Sequence, residues 1–421
     1  MIKAIRGTKD ILPDESRRWQ KIEDESRGIL NTFGYNEIRT PLIEETGLFV
    51  KTVGEDTDIV KKEMFSFVDR GQRDISLRPE GTAAIVRAYL ENNLYKAQTF
   101  QKFFYIGPMF RAERPQAGRL RQFHQIGIEA IGSNHPALDA EVINILIKLL
   151  EAAGLKNYQL KLNNLGCRED RKLLSKILKE AFSKRPTVRL LCDDCKRRLK
   201  ANPLRMLDCK NENCKRVVKG HFKTAEYLCK DCKEHFDEVI RFLNLLKIPY
   251  LADPYIVRGL DYYTRTVFEV TAQNLGAQNA IGAGGRYDNL ISDMGGPKLG
   301  ACGFALGLDR MMLALTANEN SMSEKNGLAL FIATIGKTAY DKAFSLLNEL
   351  RNDKISCDID YENKSLKSQM RAADKMEARL VLIIGDDEIK RQEAVLRDMK
   401  TKEQTNVKFT GIVDMVKAKL E

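Results

Sequence analysis

No apolar run in these 421 residues approaches the ~20 that cross a bilayer, so no membrane partner is expected. The opening string MIKAIRGTKDILPDE is charged and has no apolar stretch, which excludes a secretory leader and makes a cytoplasmic location the expectation. Repeats at solenoid periods and low-complexity tracts are absent, so arrays and biased tails are excluded as well. Two glycine-rich strings, GAGGRYD (282–288) and GFALG (303–307), lack the spacing and residues of a Walker A loop or a Rossmann fingerprint. Their glycines suit close approach of backbone to a ligand, because no Cβ intervenes. Nine cysteines in such a chain argue against a disulfide framework.

The remainder is the composition of a globular protein, 43% hydrophobic and 30% charged, and long enough for two or three domains. Lys and Arg number 69 against 58 Asp and Glu, a net charge of +11 that suits a polyanionic partner such as nucleic acid.

Periodicity organises the chain. A helix is expected over 14–33, ended by Gly34, and a hairpin over 65–77 with its turn at Asp69–Gly71. Residues 82–95 read as a helix, 99–106 and 122–131 as strands, and 139–153 as a helix. From 167 to 250 Lys, Arg and Cys dominate, which marks a small helical insertion. Strand pattern returns at 265–272, a helix begins near Asp309, and 317–326 reads as a polar linker. Beyond it, strands at 328–333, 355–360 and 379–384 alternate with helices at 338–351 and 364–376. That alternation implies an α/β domain over 327–421 with a largely parallel sheet.

The segment FYIGPMFRAERPQAGRLRQFHQIGIEAIG (104–132) carries the most chemistry. It sets Arg111 at a strand end and an arginine-rich loop beyond, and returns on a strand bearing Gln125 and Glu129. Four apart, these two share one face of a strand and make a polar floor, with Ile126 and Ile128 behind. Arginine offers phosphate a planar fork of donors, and Phe123 could offer a flat face to a base.

This segment resembles motif 2 of the class II aminoacyl-tRNA synthetases, in detail that of the histidyl members. RGTKDILPDE (6–15) resembles their N-terminus, and NEIRTPLIEE (36–45) their motif 1, which builds a dimer interface. RGLDYYTRTVFE (258–269) resembles their histidine-specific motif, and GFALGLDRM (303–311) their motif 3. The resemblance spans essentially the whole chain. It implies an α+β fold: a class II synthetase core of antiparallel sheet with flanking helices (1–166 and 251–318), the helical insertion at 167–250, and a C-terminal α/β anticodon-binding domain. It implies activation of L-histidine with ATP and Mg²⁺, transfer to tRNA(His), and a homodimer.

Carried over residue by residue, Glu80 and Thr82 would receive the α-ammonium of histidine, assisted by Gln125, with Gly81 between them in the histidine site. Glu129 and Tyr263 would hold the imidazole, beside Tyr262. A carboxylate and a phenol can accept and fix ring N–H donors, and such a site rejects apolar analogues because its polar groups would go unpaired. Arg111 and Arg258 are the candidate catalytic residues, contacting the α-phosphoryl oxygens from different sides, and both also belong to the histidine site. Arg310, Arg119 and Arg121 would hold ATP, with Phe123 on adenine and Glu113 at the adenine or a metal. Gln116, Gly118 and Arg119 would face the acceptor end of the tRNA.

Six cysteines crowd into the insertion. Cys192/Cys195 and Cys229/Cys232 form two CxxC pairs, with Cys209, Cys214, His221 and His235 between or near them. Such pairs suit a structural Zn²⁺, which would steady an insertion with little core of its own. Two ligand sets remain open, and the two CxxC pairs are preferred over Cys192/Cys195 with Cys209/Cys214.

Overall fold

The fold, in a computed structural model, is described for residues 2–183, 188–209, 211–219, 224–272, 275, 279–316 and 327–420. Two compact units divide the chain at Glu319/Asn320. The proposed linker at 317–326 and His221 lie outside the described residues.

In the first unit, alternation of apolar and polar residues builds one large sheet. Its strands are β1 (Asn36–Glu37), β5 (Gln101–Phe110), β6 (Gln122–Ile131), β7 (Tyr158–Asn164), β8 (Leu251–Ala252), β9 (Thr264–Ala272), β10 (Ala280–Arg286) and β11 (Ala301–Gly307). Their order is β1-β5-β6-β11-β10-β9-β7-β8, antiparallel except for the short edge pairs β1/β5 and β7/β8. β2 (Ile43–Glu45), β3 (Ser66–Val68) and β4 (Asp74–Leu77) form a separate small sheet. The expected hairpin is β3–β4, turning at Asp69, which accepts from the Arg73 N–H.

One face of the large sheet buries Ile126, Ile128, Phe268 and Phe304 against the helix Pro136–Ala152, whose Val142, Ile143, Leu146, Leu149 and Leu150 recur at helical spacing. That helix starts three residues before the expected Asp139. Pro136 occupies the first turn, where no N–H is needed, and the His135 ring accepts from Ala137 N at 3.2 Å. The opposite face carries Tyr105, Tyr262, Tyr263 and Tyr287, closed by the helix Thr82–Glu91.

The 167–250 segment is helical among its described residues, with helices Arg168–Phe182, Asp193–Ala201, Glu212–Lys219 and Lys230–Leu245. It has its own apolar cluster, contrary to expectation, and Cys195, Cys209 and Cys214 belong to it beside Leu174, Leu178 and Met206.

The second unit holds β12 (Leu330–Thr334), β13 (Cys357–Ile359), β14 (Leu380–Ile384), β15 (Glu393–Asp398) and β16 (Gln404–Lys408) in the order β13-β12-β14-β15-β16. The sheet is mixed, which corrects the largely parallel expectation. β12 pairs in parallel with β13 and β14, but β15 runs antiparallel to both β14 and β16. The link from β14 to β15 is a short helix, Asp386–Arg391, ended by Gln392 at φ 54°, too short for a parallel crossover. No helix among the described residues is long and apolar enough to cross a membrane.

Candidate active site

β6 forms the floor of a cleft. Its register sets Gln125 between Gly107 of β5 and Gly307 of β11, and Glu129 between Phe103 and Gly303. The glycines are room for neighbours. A Cβ on Gly303 would stand 2.2 Å from Glu129 Oε2, and one on Gly127 would stand 2.3 Å from the Tyr105 ring. A Cβ on Gly81 would stand 2.5 Å from the same ring.

The buried acidic end is a network. Glu80 caps the helix Thr82–Glu91, accepting from Thr82 N at 2.8 Å and Ala83 N at 2.9 Å, and Tyr262 OH donates to it at 3.3 Å. Thr82 Oγ1 donates to Glu129 Oε1 at 2.6 Å, and Tyr287 OH donates to Glu129 Oε2. Burial pushes the Glu129 carboxyl up to about 8, against the pull of the Thr82 and Tyr287 hydrogen bonds. Burial likewise raises Glu80, outweighing its helix N–H bonds.

The other end is cationic. Arg111 Nε donates to Pro79 O at 3.0 Å, and its guanidinium lies 5.1 Å over the Phe123 ring. Arg119 is ion-paired with the buried Glu113. Arg310 donates to Gly118 O and Ala280 O, both at 2.8 Å. Burial, and then Arg111 and Arg119, hold the Arg310 pKa below its usual value. Arginines that disfavour one another's charge in a half-buried cleft form a seat for a polyanion. Between the two ends, Arg258 Nη1 donates to Glu269 at 2.8 Å. Arg258 Nε and Gln125 Oε1 are buried with no hydrogen-bond partner among the described residues, so a donor and an acceptor await a ligand.

The cleft of about 170 Å³ is lined by Glu80, Thr82, Arg111, Glu113, Gly118, Arg119, Phe123, Gln125, Arg258, Tyr262, Tyr263 and Arg310 from the sequence reading. Glu129 lies beneath it, behind Thr82. Gly81 lies against the Tyr105 ring. Arg121 packs on Gly7 and donates to Glu113 O at 3.3 Å. Gln116 opens on an adjoining groove with Trp19 and Leu313. The tight Gln116–Arg119 turn, with Gly118 at φ +70°, carries these loop residues. Sequence reasoning missed Tyr105, Tyr287, Glu269 and Asp309, whose Oδ2 accepts from His124 N at 2.6 Å. The signal for Tyr105 was the lone glycine, Gly127, inside an alternating strand.

The cysteines do not group as preferred. Cys192, Cys195, Cys209 and Cys214 converge, their ligand atoms all within 4.8 Å, whereas Cys229 and Cys232 stand in a different cluster with Cys167 and Asp170. The physical reason is packing. Cys195, Cys209 and Cys214 are drawn into the insertion's apolar cluster, while Cys232 starts the helix that returns to the core. Cys192 N donates to Cys214 Sγ at 3.1 Å, and Asn211 N to Cys209 Sγ at 3.4 Å.

An antiparallel sheet whose floor joins buried carboxylates to clustered arginines, with a small α/β unit following in the chain, is the fold of a class II aminoacyl-tRNA synthetase. A family profile described as histidyl-tRNA synthetase matches residues 7–311, and one described as anticodon binding domain matches 329–419. The histidine–tRNA ligase of Halothermothrix orenii is 48% identical over 413 residues, 98% of each chain. That of Clostridioides difficile is 45% identical over 421 residues, 100% of each. The apo histidyl-tRNA synthetase structure from S. aureus aligns with a TM-score of 0.84 at 36% identity, covering 99% of this chain and 100% of that one. The chain belongs to the histidyl-tRNA synthetase family.

Proposed function

We propose that the protein activates L-histidine with ATP to histidyl-adenylate and transfers the histidyl group to tRNA(His), releasing pyrophosphate and then AMP. The observation that carries this reading is the polarity of the cleft: a buried carboxylate network at one end, clustered arginines at the other, and unpartnered Arg258 Nε and Gln125 Oε1 between them.

Glu80 and Gln125 Oε1 are acceptors for the α-ammonium, with Thr82 N and Ala83 N holding Glu80 in place and Gly81 leaving room for the Tyr105 ring. Tyr262, Tyr263 and, beneath them, Glu129 and Tyr287 form the imidazole end. The carboxylate of histidine attacks the α-phosphorus in line. Arg111 and Arg258 stabilise the charge that grows on the α-phosphoryl oxygens, and neither has to reorganise, since each is already anchored. Arg310 and Arg119 hold the outer phosphates, Arg121 buttresses the loop, and Phe123 stacks on adenine. Mg²⁺ would neutralise the leaving pyrophosphate. Glu113, which lines the cleft beside Arg111 and Arg119, is the carboxylate placed to meet it. In transfer a ribose hydroxyl attacks the acyl carbon and a phosphate oxygen of the adenylate accepts its proton. Gln116 and Gly118 meet the acceptor end.

Two structural assignments accompany this. Ile43 and Phe67, in register with Leu77 and Ile75, share one face of the small sheet and are exposed there, an apolar surface that suits a homodimer contact. The four converging thiols Cys192, Cys195, Cys209 and Cys214 suit a structural Zn²⁺.

The test is amino-acid-dependent exchange of pyrophosphate into ATP, without tRNA. Exchange with histidine alone is expected. No exchange from folded protein with Mg²⁺ would overturn the proposal.

A further inference from the structure

The second cysteine cluster uses the same local device as the first. Cys192 is the N-cap of the helix Asp193–Ala201, and Cys195 sits three residues on. Cys229 is the N-cap of Lys230–Leu245, with Cys232 at the same offset. Cys167 is the N-cap of Arg168–Phe182, and at that offset stands Asp170, so C-x-x-D replaces C-x-x-C. Two helix starts therefore face each other, each presenting a ligand pair. We propose that Cys167, Asp170, Cys229 and Cys232 bind a second structural Zn²⁺, separate from the four-cysteine site.

The geometry fits that ion. The four ligand atoms lie within 4.8 Å of one another. A tetrahedral zinc with Zn–S of ~2.3 Å needs sulfurs about 3.8 Å apart, so closure takes movements of an ångström or less. Three thiols with one carboxylate suit zinc and disfavour Mg²⁺ or Ca²⁺, which want oxygen shells. The carboxylate is already aimed. Asp170 Oδ1 accepts from Cys229 N at 3.1 Å and Oδ2 from Cys167 N at 3.3 Å, so it spans both helix starts. Each oxygen keeps a lone pair for the metal. Gly166, at φ +74°, makes the room, since a Cβ there would stand 2.4 Å from Asp170 Cβ. Behind the cluster Asn164 Nδ2 donates to Cys232 O at 2.7 Å, and Asn164 Oδ1 accepts from Gly166 N at 2.8 Å. Supporting hydrogen bonds of this kind orient metal ligands.

The location says what the ion would do. Cys167 follows β7, where the insertion leaves the sheet. Cys232 begins the helix that brings the chain back, and His235 on that helix meets Asp139 of the core at 3.0 Å. The metal would clasp the base of the insertion, joining its two ends across a loop of about 60 residues. Cross-links over such long loops remove the most freedom from the unfolded chain.

Zinc per chain, measured by mass spectrometry of full-length protein made in zinc-supplemented medium, tests this. The expected count is two in the parent, one in Cys209→Ser and one in Cys229→Ser/Cys232→Ser. Parent protein with one zinc that survives Cys229→Ser/Cys232→Ser and is lost in Cys209→Ser overturns the second site and leaves the first standing. Absence of zinc overturns both. X-ray absorption of the parent needs no variant: two sites give a mean of about 3.5 sulfurs per zinc, while one zinc with four sulfurs overturns the inference. A Cys229–Cys232 disulfide, seen as a loss of two hydrogens in the intact mass, overturns it as well.

Discussion

Glu129 shows how a single residue is set against the stability of its fold. Its carboxyl titrates near 8 when folded and near 4.5 when unfolded. Between those values the folded state keeps a proton that the unfolded state has released. Stability therefore falls as pH rises from about 4.5 to about 8, by a few kcal/mol in all. Glu129→Gln has no such titration. Its melting temperature should match the parent near pH 4.5 and exceed it increasingly up to pH 8, while histidine-dependent exchange falls. A constant difference across that range would refute the role of burial. Arg258 makes the opposite case, since Glu269 and the fold already hold it at the place where charge develops. Arg258→Ala should lower the activation rate by about 10²–10³-fold, with a much smaller change in histidine affinity. Equal loss of both, in single-turnover kinetics and equilibrium binding, would show uniform binding instead.

At the scale of elements, legibility followed local signals. The strand over 122–131 was fully visible, because alternation of Gln125 and Glu129 with Ile126 and Ile128 leaves one period that fits. β15 and β16 were not, since most β16 side chains are exposed and carry no apolar alternation. The partnership of Glu129 with Tyr287 was also hidden, because 158 positions separate them and only the sheet order brings β10 near β6. The cysteine grouping failed for a related reason: spacing records which ligands share a helix start, not which starts face each other. The glycines of the floor carry a prediction here. Gly127→Ala would push the Tyr105 ring out of its slot, costing about 1–3 kcal/mol as overpacking does. It should also raise the KM for histidine, since Tyr105 lines the cleft. An unchanged KM in exchange kinetics would show that the ring relaxes without disturbing the pocket.

At the scale of the whole molecule, a two-fold contact would present every substitution twice. Phe67→Asp on the small sheet would then face its own copy's apolar surface with two carboxylates, and sedimentation velocity should show dissociation at least 100-fold easier. An unchanged distribution would exclude that face. The order of strands has another consequence, which concerns how the protein is made. β11, the last strand of the large sheet in the chain, sits in its middle, between β6 and β10. β5–β6 and β9–β10 can form as hairpins, but each keeps an open hydrogen-bonding edge until β11 arrives. Some 176 residues separate the end of β6 from the end of β11. At ribosomal rates of ~5–20 residues per second the β6 edge stays exposed for roughly 10–35 s, with no cleft floor beside Glu129, and the β10 edge for only about the last 1–4 s. A nascent chain of this protein should need shelter for that interval, and a transcript broken shortly before codon 301 should yield an insoluble fragment rather than a weak enzyme.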